Sequence, residues 1–216
     1  GNAPGESASL AYFGRLIYSY DNRYSIQTNF RADAFDSSKL SEQNRWGLFP
    51  SVSLGWTVSN EKFIKDNVSP SVLSFLKLRA SWGRNGNVSV LNNYAYATSI
   101  NYGGSWYQFD VDDPAQSLGA KPSGLANPDL KWETSTSANV GLDFGFLNNR
   151  ITGTLEYYDK RTKDLLNNVS APSGTNFSNI ILANVGRMKN QGLEKSESEW
   201  RTQALPAQVL DKVFSS

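Results

Sequence analysis

"YSIQTNFRAD", residues 24–33, alternates between apolar and polar side chains almost without a break. Tyr24, Ile26, Thr28, Phe30 and Ala32 fall on one side of an extended chain. Ser25, Gln27, Asn29, Arg31 and Asp33 fall on the other, because successive side chains of a strand point to opposite faces. A strand of this kind belongs to a sheet with one apolar and one polar face, and two surroundings satisfy it. A soluble sandwich turns the apolar face to a protein core. A membrane barrel turns it to lipid and keeps the polar face around a lumen.

The pattern recurs along the chain. Tyr12, Gly14, Leu16, Tyr18 and Tyr20 oppose Phe13, Arg15, Ile17 and Ser19; Leu48, Pro50, Val52, Leu54, Trp56 and Val58 oppose Phe49, Ser51, Ser53, Gly55 and Thr57. Leu76, Leu78, Ala80 and Trp82 oppose Lys77, Arg79, Ser81 and Gly83. Further on, Ala138, Val140, Leu142, Phe144 and Phe146 oppose Ser137, Asn139, Gly141, Asp143 and Gly145, and Ile151, Gly153, Leu155 and Tyr157 oppose Thr152, Thr154, Glu156 and Tyr158. Each run is about ten residues, the length a tilted strand needs to cross a bilayer. The polar sets are Gly, Ser, Asn, Thr and single charges, which suit the wet wall of a wide channel as well as the outside of a sandwich.

Composition narrows the function. The chain has 216 residues, 21 basic against 20 acidic, for a net charge of +1. No Lys/Arg run stands out, so nucleic acid is not an expected partner. With no Cys there are no disulfides or thiolate metal sites, and with no His there is no Ser-His or Cys-His catalysis and no His-ligated zinc. No apolar run approaches the roughly 20 residues of a membrane helix. A mean hydropathy of −0.46 does not bear on a barrel, whose lumen-facing residues are polar.

The connections follow a pattern. Asp21-Asn22-Arg23 and Leu147-Asn148-Asn149-Arg150 are tight hairpin turns, whereas the opposite strand ends open into long segments near 34–45, 85–131 and 161–183. Membrane barrels have short turns at one rim and long loops at the other. One exception, 59–74, is long but falls on the short-turn rim, and its "NEKFIKDN" suggests a helical turn. Tyr20, Tyr24, Trp56, Trp82, Phe144 and Phe146 gather near strand ends, as interfacial aromatics do.

Three stretches carry a resemblance. "NRWGLFPSVSLGWTVSNEKF" (44–63), "LKLRASWGRNGN" (76–87) and "NPDLKWETSTSANVGLDFGFLNNRITGTLEYYDKRTKDLL" (127–166), continued by "NVGRMKNQGLE" (184–194), resemble the later barrel strands of SusC/RagA-type TonB-dependent outer-membrane transporters. The resemblance covers roughly residues 10–194. It implies a barrel of about twenty-two strands, plugged by an N-terminal domain. It also implies import of oligosaccharides or peptides across the outer membrane of Bacteroidetes-type bacteria, with outer-membrane lipid, a SusD-like surface lipoprotein and the TonB complex as partners.

The expected fold is therefore all-β: an antiparallel transmembrane β-barrel segment of about eight strands, an open curved sheet when isolated. Residues 1–194 are expected to be partial barrel and 195–216 an atypical tail, either a short helix or a non-native end. On this reading the chain is a fragment, without the signal peptide and plug of its parent. The alternative is a secreted carbohydrate-binding β-sandwich.

Aromatic residues in the longest loop, above all Tyr102, Trp106, Tyr107 and Phe109, form a tentative substrate-contact loop, since ring faces stack on the C–H surface of sugars. Packing of that loop is the plainer role for the same residues. Asp110, Asp112 and Asp113 lack the remaining ligands of a calcium loop, and Gly83–Asn87 leaves a strand without opening a helix, so it suits a strand-end turn. Glu133, Asp143 and Glu156 are scattered carboxylates rather than an acid–base pair. No catalytic residue, metal or cofactor is expected, and the protein is not expected to be an enzyme.

Overall fold

A computed structural model describes residues 8–35, 39–91, 93–98, 100–107, 117–122, 126–170 and 180–196. The strands are β1 (Ser9–Tyr20), β2 (Tyr24–Phe35), β3 (Trp46–Leu48), β4 (Ser51–Thr57), β5 (Leu73–Asn87), β6 (Ile100–Tyr107), β7 (Ser117–Pro122), β8 (Glu133–Phe146), β9 (Ile151–Ser170) and β10 (Ile180–Ser196). One short helix, α1 (Lys62–Lys65), follows a 3₁₀ turn at Val58–Asn60, where the sequence suggests a helical turn. No helix of the described residues is long and apolar enough to cross a membrane.

Eight strands form one antiparallel sheet in the order β1-β2-β4-β5-β8-β9-β10, with β3 paired to the upper part of β2. The sheet is open, and β1 and β10 are its edges. The strand count and the open sheet match the expectation. A separate two-stranded ribbon, β6–β7, lies within the longest connection and has no counterpart in the sequence reading.

The tight turns form because Asp and Asn tolerate the left-handed region. Asp21 and Asn22 have φ of 50° and 49°, Asn148 and Asn149 have 56° and 59°, with Leu147 before them also left-handed at 53°, and each turn closes with a backbone bond, Arg23 N to Tyr20 O and Arg150 N to Leu147 O. Positive φ at both central residues is the type I′ pattern whose twist suits hairpins.

Three details depart from the strand limits expected of the sequence. The run from Leu48 to Val58 is split at Phe49-Pro50, because Pro50 has no N–H to donate. The register with β2 nevertheless continues, since Phe49 exchanges both backbone bonds with Arg31. Gly83–Asn87 is not a turn but the end of β5, paired with Glu133–Ser137 of β8. The expected loop near 161–183 is largely strand, β9 and β10 being paired from Thr154/Ser196 to Ser170/Ile180 with a bulge near Asp164. Those upper segments do not alternate cleanly: Leu165-Leu166 and Ile181-Leu182 place apolar side chains on both faces, and Leu166 and Leu182 pack against the rim core.

Register keeps the two faces separate across the sheet. Ile26, Leu54, Ala80, Val140 and Tyr157 form one cross-strand row, and Gln27, Ser53, Ser81, Asn139 and Tyr158 the neighbouring row on the other face. The apolar row is open: Leu54 is 51% and Val140 57% exposed. No second sheet covers it among the described residues, as a sandwich would require.

The compact core lies instead at the long-loop rim. Leu40, Phe49, Val88, Leu91, Leu130 and Trp132 pack together, with Leu40 and Leu130 fully buried. Phe49 and Trp132 meet edge to face at 5.2 Å. A Cβ on Gly86 would lie 2.2 Å from the Phe49 ring, so only glycine leaves room for it. Polar ties join the same connections: Ser41 Oγ donates to Pro128 O, Trp132 Nε1 to Arg45 O, and Asn127 Nδ2 to Leu182 O. Leu130→Ala removes a fully buried side chain and should cost about 2–5 kcal/mol. Limited proteolysis is the measurement: cleavage in the β5–β8 connection should accelerate, and an unchanged rate would show that the cluster does not hold the rim.

Candidate functional site

The polar face is built from one cross-strand row. Ser25, Gly55, Arg79, Gly141 and Glu156 stand opposite one another on β2, β4, β5, β8 and β9. Gly141 lets the Arg79 side chain lie flat across β8, because a Cβ there would come within 2.9 Å of the Arg79 Nη2. The guanidinium donates to Asp143 through Nε at 2.8 Å and Nη2 at 3.1 Å, and reaches over Gly141 to Glu156 at 3.2 Å. Thr154 donates to Asp143 and Asn139 to Glu156, at 3.0 and 3.1 Å.

Both carboxylates are therefore held by one cation and by neutral donors. Of the three scattered carboxylates, the sheet brings together Asp143 and Glu156; Glu133 is at the far end of β8, opposite Asn87. No nucleophile or base is engaged with them. The arrangement suits a hydrated polar face, with one guanidinium shared between two carboxylates. Among the described residues no three His, Cys, Asp or Glu side chains are placed to hold a metal.

The aromatic loop residues are partly located. Tyr102, Trp106 and Tyr107 lie on β6, opposite Ala120, Leu118 and Ser117 of β7. Tyr102 is 78% exposed and available for contact. Phe109 and the three aspartates at 110, 112 and 113 lie outside the described residues. Of two further loop tyrosines, Tyr96 packs against the rim core, whereas Tyr94 is exposed.

The sequence reading overlooked Glu61, on the short-turn rim. It is only 7% exposed and accepts bonds from Tyr24 Oη at 2.5 Å, Trp56 Nε1 at 3.0 Å and Arg23 Nη1 at 3.0 Å. Tyr24 and Trp56 are stacked cross-strand neighbours on the apolar face, so their polar tips turn down onto one carboxylate. Asn60 Nδ2 donates to Asn22 O, which fastens the same segment to the first turn. A carboxylate two residues before an aromatic in an irregular connection carries no sequence signal of this role.

Hydrogen bonds from Tyr24, then Trp56, with Arg23 adding to them, hold the Glu61 carboxyl below its ordinary value of 4.5, against the opposing effect of burial. A folded-state pKa lower than the unfolded one contributes stability that is present above the ordinary value and is lost as pH falls through the folded value. Acid should therefore loosen this rim, seen as faster amide exchange over 58–65, and Glu61→Gln should remove most of that pH dependence. Identical pH profiles in the two proteins would contradict the role given to Glu61.

Comparison with known proteins agrees with this geometry. The family model "TonB dependent receptor-like, beta-barrel" matches residues 2–207. The chain is 44% identical over 187 residues to TonB-dependent receptor SusC of Bacteroides thetaiotaomicron, covering 87% of this chain and 18% of that protein. The structure of the RagAB peptide importer in its closed-closed state superposes with a TM-score of 0.70 at 31% identity, over 88% of this chain and 19% of the other. The siderophore receptor PirA from Pseudomonas aeruginosa, at 16% identity and TM-score 0.54 over 88% of this chain and 30% of its own, shares the fold. The chain spans about a fifth of the length of the SusC and RagAB chains it matches. The chain therefore belongs to the TonB-dependent receptor β-barrel family and is of its SusC/RagA type.

Proposed function

We propose that this chain forms part of the barrel wall of an outer-membrane, TonB-dependent importer of oligosaccharides or peptides. The observation that carries the reading is the division of the sheet: exposed Leu54, Leu78 and Val140 on one face, and Ser53, Arg79, Asn139 and Asp143 on the other. Backbone groups in hydrocarbon must be paired, so the open edges at β1 and β10 require further strands to close a barrel. The likeness to RagAB, described as a peptide importer, supports the peptide arm, and Tyr102 exposed on β6 supports sugar stacking. A SusD-like lipoprotein at the long-loop rim and the TonB complex on the opposite side complete the proposed system.

Facing is directly testable. Leu142→Arg in the complete barrel would set a cation against hydrocarbon, at a cost of about 2–4 kcal/mol near the midplane. Asn139→Arg would remain in water and cost much less. Equal losses of folded barrel on refolding into bilayers would refute the membrane reading.

Transport is tested in cells that produce the full-length protein. Uptake of a labelled oligosaccharide or peptide mixture should depend on this protein and cease when TonB is deleted. Uptake that persists at the same rate without TonB would refute energy-coupled import.

A further inference from the structure

The outward face changes character abruptly on β8, β9 and β10. Val140, Tyr157 and Leu193 form an apolar cross-strand row, with Leu193 74% exposed, and in the row below Leu142 and Leu155 are joined by Lys195 on the edge strand. Two residues further toward the long-loop rim, Asp159 lies opposite Gln191. Beyond it, Arg161 faces Lys189 across the strand pair, and then Lys163 faces Arg187. Two successive rows thus set a cation directly against a cation.

Like charges directly opposite each other on a sheet are destabilising. Asp159 relieves the lower row in part, bonding Arg161 at 2.8 Å and Lys189 at 3.6 Å. Among the described residues, no carboxylate pairs with Lys163 or Arg187. Arg84 extends the cluster, since it shares the cross-strand row of Thr136 and Arg161 and is likewise exposed.

The height of the cluster is set by the strands. From Ile151, at the short-turn rim, to Arg161 is about ten residues, or roughly 33 Å of strand. At the usual tilt this is about 25 Å along the membrane normal, the height of a barrel's apolar band. The same separation divides the Tyr24–Trp56 pair at one rim from Ala34, whose neighbour Trp46 stacks on Tyr12 at the other. The cations therefore stand at the level of the headgroups on the long-loop side, directly above apolar side chains.

We propose that Arg161, Lys163, Arg187 and Lys189, with Arg84 at the margin, bind the phosphate of an anionic lipid headgroup in the leaflet on the long-loop side. Tyr157 and Leu193 lie against the acyl chains of the same lipid. The anion supplies the charge that the two cation rows lack, and continuity with the apolar face selects a lipid over a dissolved phosphate. The proposal rests on the barrel reading given above.

The test uses the full-length protein in nanodiscs of phosphatidylethanolamine with and without phosphatidylglycerol, with retained lipid measured by native mass spectrometry. Preference for phosphatidylglycerol should fall about tenfold or more in Arg161→Gln/Lys189→Gln and in Lys163→Gln/Arg187→Gln, and should weaken with salt. Lys160→Gln, on the opposite face beside Ser137 and Asn190, should leave it unchanged. All of these side chains are exposed, and heat-modifiable gel mobility verifies that each variant is folded. Wild-type protein that enters nanodiscs but shows the same lipid preference as both double variants overturns the headgroup site alone. So does complete displacement of the lipid preference by inorganic phosphate. Wild-type protein that cannot enter nanodiscs overturns the barrel reading beneath it.

Discussion

Cross-strand register is the constraint on which the rest of this structure depends. The pairings β1–β2, β2–β4, β4–β5 and β8–β9 run without a shift; the irregularity in β5–β8 falls at the start of β5, and that in β9–β10 lies within the strands, at Asn184–Arg187. Because side chains alternate with a period of two, a slip of one residue between β5 and β8 would turn Asp143 and Asn139 to the apolar side. It would also part Arg79 from both carboxylates. One sheet with no covering layer has no other means of keeping its charges out of hydrocarbon.

The two rims are secured by different physics. At the short-turn rim the fastening is polar: Glu61 gathers Arg23, Tyr24 and Trp56, and backbone bonds from Thr57 to Arg23 and from Leu147 to Val72 bring neighbouring connections together. At the long-loop rim it is apolar, with Leu40, Leu91 and Leu130 excluded from water. Each suits its surroundings. Short turns expose backbone groups that side chains must satisfy, whereas long loops carry enough side chains to bury one another. Between these two fastenings strand pairing holds the sheet.

The Arg79 cluster belongs to the polar face. Glycines beside the long cation keep that surface low, and the guanidinium bonds Asp143 and Glu156 within the sheet. The outward cations at the upper end of β9 and β10 differ: each stands opposite another cation, and among the described residues Asp159 is the one carboxylate bonded to them. The difference follows from which neighbour each residue meets across the ladder.

The sequence by itself determined the strands, their facing and the tight turns, because alternation and Asn/Asp-rich turn chemistry are local properties. "YSIQTNFRAD" specifies its own two faces, and Asp21-Asn22 and Asn148-Asn149 specify their own φ. The motifs of residues 44–63, 76–87 and 127–166 were enough to indicate the family. Only the tertiary structure decided what depends on partners far apart in the chain. Glu61 has Tyr24 as its partner 37 residues away, and the rim core joins Leu40 to Leu130. The opposition of Arg161 to Lys189 is likewise a matter of hairpin register, and the upper reach of β9 and β10 is set by their pairing with each other. Periodicity reports which way a side chain points; register across the sheet decides what it meets there.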